Sequence, residues 1–293
     1  MAGRVNDPLA PGRLNPPTPG QLRRIMGAER LRPKKSLSQN FLTDPEALDA
    51  IVEAAELERG DNVVEIGPGL GVLTRRLLAA GASVTAVELD ARLADYLRRE
   101  LYGVDGFDLI EADALSIHSR DLFPGDPIKV VANIPYHITS PLLHTFLEGD
   151  RPPDLTVLLV QLEVAERVAA PPGRMSYLSV FAQNVAHAEV VARVPATAFE
   201  PVPAVDSAVL RLRRRDSPTI PSGPLREPFY RVVQAGFRQR RKQVHNGLSR
   251  ELPVDRTVVE EALEACSVDP ERRPQTLTVE EWGCLAGRLG PLL

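Results

Sequence analysis

The sequence predicts an α/β fold, a doubly wound and mostly parallel sheet, followed by a small all-helical domain. Three observations lead there. Up to about residue 217, short apolar runs alternate with helical periods, the pattern of βαβ units with right-handed crossovers. Leu155–Leu162 is an apolar run broken only by Thr156 and Gln161, as expected of a strand covered on both faces of a parallel sheet. Beyond residue 217 only helical periods recur, after a stretch crowded with proline and glycine.

In chain order, residues 1–28 are rich in proline and glycine without periodicity and read as a flexible arm. Leu48, Ile51, Val52 and Ala55 then repeat at helical spacing. Asp44 ahead of them is a good N-cap, and Pro45 suits the first helical position. Strands are expected at Asn62–Ile66, Ser83–Glu88, Asp108–Ala112, Ile128–Ala132, Leu155–Leu162, Glu189–Val194 and Ala208–Leu212. Helices at Val72–Ala80, Ala91–Leu101, Pro141–Leu147 and Val164–Ala170 fill the connections, and Phe229–Leu248, Thr257–Ala265 and Val279–Leu289 follow. The expected domains are therefore the arm (1–28), an α/β domain (29–217) and a helical domain (218–293).

Composition narrows the class. The chain of 293 residues is 43% hydrophobic and 25% charged, which excludes global disorder, collagen and coiled coil. No apolar run reaches the roughly 18 residues of a membrane span. The first residues lack the basic-then-apolar pattern of a secretory signal, so a cytoplasmic protein is expected. Cys266 and Cys284 are too few for a disulfide framework or a zinc site and are expected to be reduced. The five histidines (His118, His137, His144, His187 and His245) show no ligand spacing, so no metal is expected.

The formal net charge of −4 hides an uneven distribution. Residues 1–40 carry 8 basic against 2 acidic side chains and residues 206–250 carry 11 against 3. Residues 41–205 carry 12 against 25, and 251–293 carry 4 against 9. Two basic segments thus bracket an acidic body, as a phosphate-contacting rim around a separate small-molecule site requires. A solvated face is the plain alternative for each basic run.

Four motifs fall where strands end. Gly67-Pro68-Gly69-Leu70-Gly71 follows the first strand, where glycines let the backbone turn sharply and approach a ligand. A dinucleotide fingerprint would need glycine at position 72, which is Val72, so an NAD-dependent oxidoreductase is disfavoured and a nucleoside ligand without pyrophosphate fits better. Glu88 ends the next strand, where a carboxylate can accept from two ribose hydroxyls. Asp113 ends the third and can accept from an exocyclic amine. Asn133-Ile134-Pro135-Tyr136 follows the fourth: the Asn oxygen and a nearby carbonyl can accept from an amine, and the Tyr offers a stacking face. Read singly, each can be a structural turn or a strand-end residue; together they converge on the crevice where open α/β sheets bind ligands.

These motifs, preceded by Ser38-Gln39-Asn40-Phe41-Leu42 and followed by FEPVPAVDSAVLRL (Phe199–Leu212) and AGFRQRRK (Ala235–Lys242), resemble the ribosomal RNA adenine N6-dimethyltransferases over about residues 30–290. The resemblance implies a Rossmann-like class I methyltransferase with a seven-stranded sheet whose last strand is antiparallel, using S-adenosylmethionine as methyl donor. It implies donor contacts from Asn40, Leu42, Gly67, Glu88 and Asp113. Asn133 would lie between donor and base, with Tyr136 and Phe199 packing on the target adenine. Arg238, Arg240, Arg241 and Lys242, read as part of a basic helix, would grip RNA. The implied partner is small-subunit ribosomal RNA in the immature small ribosomal subunit, with the enzyme a monomer. Macrolide-resistance methyltransferases of large-subunit RNA share the QNFL and NIPY motifs, while the Ala235–Lys242 and FEPVPAVDSAV segments favour the small-subunit enzymes. A catalytically idle RNA-binding relative is the alternative of another class, opposed by intact Gly67, Glu88, Asp113 and Asn133.

Overall fold

The computed structural model describes residues 14–29, 40–117, 128–148, 152–220 and 226–293. Seven strands form one sheet: β2 (Asn62–Ile66), β3 (Ser83–Glu88), β4 (Phe107–Glu111), β5 (Ile128–Asn133), β6 (Leu155–Gln161), β7 (Ala186–Val194) and β9 (Ser207–Arg214), in the order β4-β3-β2-β5-β6-β9-β7. The sheet is mostly parallel with one antiparallel strand, as expected. The missed elements are a two-stranded antiparallel ribbon, β1 (Phe41–Leu42) with β8 (Phe199–Glu200), and the helix α7 (Tyr177–Val185). A two-residue strand has no periodicity to read, and its partner is more than 150 residues away.

Helix α1 (Pro19–Ala28) corrects the expectation of a flexible arm over residues 1–28, of which 1–13 lie outside the described residues. Thr18 caps it in a capping box with Gln21, Pro19 takes the first position, and Leu22 is fully buried. Proline marks this helix start rather than a lack of structure. Helix α2 (Pro45–Ala54) begins as expected, the Asp44 carboxylate accepting from the Ala47 N–H at 2.8 Å. Helices α3 (Val72–Ala79) and α4 (Ala91–Glu100) connect the first parallel strands, and α5 (Thr139–Leu147) and α6 (Leu162–Val168) flank β6.

The chain divides into two compact units, Met1–Leu162 with Val190–Arg211, and Glu163–Glu189 with Leu212–Leu293. This division differs from a single cut at residue 217, because the Glu163–Glu189 segment goes with the helical unit. In the first unit, Ile51, Val63, Leu77, Val84, Leu97, Val131 and Val157 are buried in one core that also takes in Leu22. In the second, Met175 and Val180 join Phe229, Val233, Leu248, Leu263 and Trp282 in a separate core.

The helical unit carries two corrections. The continuous helix expected over Phe229–Leu248 is two, α8 (Arg226–Arg238) and α9 (Val244–Glu251), so Gln239–Lys242 is a turn and not part of a basic helix. There α9 packs back on α8, with Gly247 against Gly236: a Cβ on Gly247 would sit 3.5 Å from the Gly236 carbonyl oxygen, an ordinary contact distance. Cys266, at the end of α10 (Arg256–Ala265), and Cys284, in α11 (Val279–Leu289), were expected to be reduced and are joined in a disulfide, their Cα atoms 5.8 Å apart. Packing of α10 on α11 brings together two residues 18 apart in sequence.

Candidate active site

Strand register builds the site. Ile66 pairs with Val87, Glu65 with Val131 and Glu88 with Glu111, so the carboxyl ends of β2, β3, β4 and β5 finish along one edge. The strand order reverses between β2 and β5, the switch point at which open α/β sheets form a crevice. There, a cavity of about 350 Å³ is lined by Asn40, Leu42, Gly67, Glu88, Asp113, Asn133, Tyr136 and Phe199. All eight residues expected in the donor and base sites therefore line one cavity. Its volume lies at the small-molecule end of ordinary ligand pockets.

The glycine loop is shaped by backbone constraints. Gly69 and Gly71 have φ of +59° and +72°, a region that side chains with a Cβ rarely enter. A Cβ on Gly69 would also come within 3.2 Å of the Phe41 ring, which overhangs the loop from β1. The Gly69 N–H donates to one Glu88 carboxylate oxygen at 3.1 Å, and the Asp90 N–H to the other at 2.9 Å. Glu88 is thus fixed in rotation while each oxygen keeps acceptor capacity for a diol. Burial pushes its carboxyl above the ordinary range, opposed by those two backbone donors.

Glu65, which sequence reasoning passed over, also lines the cavity and is 1% exposed. Burial pushes its carboxyl up to about 8, with the neighbouring Glu88 charge acting in the same direction. Its signal was present: a carboxylate inside an apolar strand (Asn62–Ile66) has no solvated face to occupy. Phe41, Leu89 and Ile138 add to the apolar lining and were likewise not assigned a role from the sequence.

Asp113 is exposed at the cavity rim, where its carboxylate accepts from the Leu115 N–H at 2.9 Å. Asn133 ends β5, and its amide nitrogen donates to the Asn40 carbonyl at 3.5 Å. Donation through nitrogen keeps the amide oxygen for an incoming amine. The Tyr136 hydroxyl is held by Ser207 Oγ at 2.8 Å, which pins the ring. Phe199 is 2% exposed, its backbone paired with Leu42 across the β1–β8 ribbon. Ser38 and Gln39 of the SQNFL motif lie outside the described residues. Among the described residues no group of three or more His, Cys, Asp or Glu is placed to hold a metal ion.

The basic residues lie in the helical unit. Arg238, Arg240, Arg241 and Lys242 line a separate cavity of about 490 Å³ together with Arg273 and Gln275. Arg240, Arg241 and Lys242 are exposed on the turn after α8. Arg238 and Gln239 are engaged by Glu251, at 3.2 Å each, which lowers the Glu251 carboxyl below the ordinary range.

A family model described as Ribosomal RNA adenine dimethylase matches residues 30–283. The chain belongs to this family. Curated relatives in it include Ribosomal RNA small subunit methyltransferase A of Alkaliphilus oremlandii (strain OhILAs), 36% identical over 283 residues that cover 94% of this chain and 98% of that protein. The protein of the same name from Lactiplantibacillus plantarum is 40% identical over 282 residues, covering 92% and 95%. Among solved structures, the 23S rRNA methyltransferase ErmE is 36% identical with a TM-score of 0.68, covering 85% of this chain and 99% of that one. A dimethyladenosine transferase from Plasmodium falciparum is 27% identical with a TM-score of 0.71, covering 84% and 95%. Family membership makes the protein an enzyme, an adenine dimethyltransferase of ribosomal RNA.

Proposed function

We propose that the chain transfers two methyl groups in succession from S-adenosylmethionine to N6 of each of two adjacent adenines in small-subunit ribosomal RNA, within the immature small subunit. The observation that carries this reading is the meeting of Asn133 with Gly67 and Glu88 in one cavity. A carboxylate suited to a ribose, on β3, and an amide suited to an adenine amine, on β5, stand on either side of β2 and the glycine loop that follows it. The cavity suits a nucleoside: Gly67 and Gly69, both with positive φ, line it without side chains, and its lining is mostly apolar.

When bound, S-adenosylmethionine supplies a methyl group already activated on a sulfonium. The protein's task is then alignment rather than activation. Glu88 would hold the ribose hydroxyls, Asp113 the adenine amine of the donor, and Gly67 would lie against it. Asn40 and Leu42 would contact it from the β1 side. The Asn133 amide oxygen and a carbonyl of Ile134 or Pro135 would accept the two N6 hydrogens of the target. That favours a pyramidal nitrogen with its lone pair free for attack, and no strong general base is required. The base must leave its stack, and the rings of Tyr136 and Phe199 would receive it. Arg240, Arg241 and Lys242, with Arg238, would contact RNA phosphates.

The enzyme's cytoplasmic setting follows from such a substrate, and no helix of the described residues is long and apolar enough to cross a membrane. The test is transfer of labelled methyl to undermethylated small-subunit and large-subunit particles offered together, followed by primer extension on both RNAs. Stops at two adjacent adenines of the small-subunit RNA are expected. Label appearing only in large-subunit RNA would replace the proposed substrate with that of the macrolide-resistance enzymes.

A further inference from the structure

The glycine loop is gripped from behind by a buried cation. Arg75, in the first turn of α3, is 5% exposed. Its Nη1 donates to the Leu70 and Gly71 carbonyl oxygens, both at 3.0 Å. The Gly71 oxygen also accepts from the Arg75 backbone N–H at 3.2 Å. In a trans peptide the C=O and the following N–H point in opposite directions. Drawing both carbonyls toward Arg75 therefore turns the Gly71 and Val72 N–H groups away from it. The Gly71 N–H is accepted by the Pro68 oxygen at 2.9 Å, which closes the turn, and Val72 lines the cavity.

The guanidinium is itself held. Glu100 of α4 stands 3.8 Å from Nη2, and Tyr96, whose hydroxyl burial pushes above its ordinary range, hydrogen-bonds to Arg75 from the same helix. The packing leaves no room for a side chain at position 71: a Cβ on Gly71 would sit 2.7 Å from Arg75 Nη1 and 2.8 Å from Leu97 Cδ2. Gly71 is thus required twice, by its positive φ and by the cation packed against it. A buried guanidinium is costly unless its donors are matched. Here they are matched by the carbonyls that define the loop, so the loop's shape and the burial of the charge depend on each other.

We propose that Arg75 is a positioning residue for the methyl donor: it never touches the donor, yet it sets the affinity of the glycine loop by fixing the peptide planes at residues 70–72. The inference rests on the reading of this cavity as the donor site. A long cation with two donors at one nitrogen end is suited to the task, and lysine, with a single point charge, is a poorer substitute.

The experiment compares the parent with Arg75→Met and Arg75→Lys by donor titration calorimetry, RNA-particle binding, steady-state kinetics and amide hydrogen exchange of the donor-free protein. The expected result for Arg75→Met is donor affinity weakened tenfold or more, a raised donor KM with kcat at saturation within about threefold, and unchanged RNA affinity. Exchange should quicken at Gly69–Val72 while β5 and β6 stay protected, and Arg75→Lys should fall between Met and parent. A purely structural role would lower donor and RNA affinity together and quicken exchange throughout the sheet, and that overturns the proposal. Donor affinity within twofold of the parent in Arg75→Met overturns it as well. Should the Met variant fail to fold, the Lys variant decides: a threefold or larger loss of donor affinity alone supports the proposal, and parental affinity defeats it. Absence of donor binding in the parent would instead sink the donor-site reading, so the two failures are distinguishable.

Discussion

The crevice of the α/β unit and the basic turn of the helical unit solve opposite problems. In and behind the crevice, Glu65, Glu88 and Arg75 are each no more than 5% exposed, and Glu88 and Arg75 are tied to the backbone of the glycine loop. At the turn, Arg240, Arg241 and Lys242 stand in solvent, and the side chain of their neighbour Arg238 is 59% exposed although it is paired with Glu251. A small ligand with defined hydrogen-bonding groups rewards fixed geometry, because each group misplaced costs most of its interaction. A polyanionic backbone rewards charge density, which tolerates mobility and is screened by salt. Substitutions in the crevice should therefore act individually and steeply, whereas those at the turn should act together and with salt.

The largest effect is expected at Asn133. Asn133→Ala removes the acceptor for N6 but little donor contact, so single-turnover methyl transfer should fall by two or more orders of magnitude, roughly 2.7 kcal/mol or more. Donor and RNA affinities should each change less than about tenfold, and near-parental turnover would reduce NIPY to a structural turn.

Next comes a change that should sharpen the comparison from the helical side. A Cβ on Gly236 would lie 2.4 Å from the buried Trp282 ring, so Gly236→Ala must displace that ring. Overpacking of this kind costs about 1–3 kcal/mol, read as a lower denaturant midpoint. Donor affinity measured well below that midpoint should stay parental, and a loss there would show that the two units are not energetically separate.

Glu88→Ala should weaken the donor by about tenfold or more, as the loss of charge-assisted hydrogen bonds implies. Calorimetry finding parental affinity would remove Glu88 from the site. At the turn, charge reversal at Arg240, Arg241 and Lys242 should weaken RNA binding and flatten the slope of log K against log salt by about 2–3, with donor affinity intact. An unchanged slope would make the turn a solvated face and erase the contrast.

The smallest effect concerns pH. Burial pushes the Glu65 carboxyl from an ordinary 4.5 up to about 8, so the folded chain disfavours its ionised form. Its contribution to stability is full below the ordinary value and is lost as pH rises toward 8. Glu65→Gln stays neutral, so its melting temperature in donor-free protein should exceed the parent's by a few degrees at pH 8.5, with the gap shrinking toward pH 5. A constant gap across that range would mean that Glu65 does not titrate in it.

Most of the sheet and its ligand edge were legible in the sequence, because they follow from local patterns. A strand of five or six residues with an apolar centre that stops at glycine or at a carboxylate, as Asn62–Ile66 before Gly67 and as Ser83–Glu88, carries its own stop signal. The parallel order then puts those stops on one edge whatever the side chains elsewhere. The same logic located Asn133 and Asp113 with no long-range information.

What tertiary structure alone decided are the features made by partners far apart in sequence. Nothing local separates α8 from α9; the break at Gln239–Lys242 is set by the packing of α9 back against α8. Nothing local pairs Cys266 with Cys284, or Phe41–Leu42 with Phe199–Glu200, and only the packing of Leu22, Ile25 and Met26 on the core makes α1 part of it rather than an arm. Arg75 reads as one more charge in a helix, and only its burial behind Leu70 and Gly71 turns it toward the loop. The physical reason is the same in each case. Local periodicity determines which elements form and where they stop, whereas a contact across many residues depends on the shapes of two surfaces that exist only once the chain has packed.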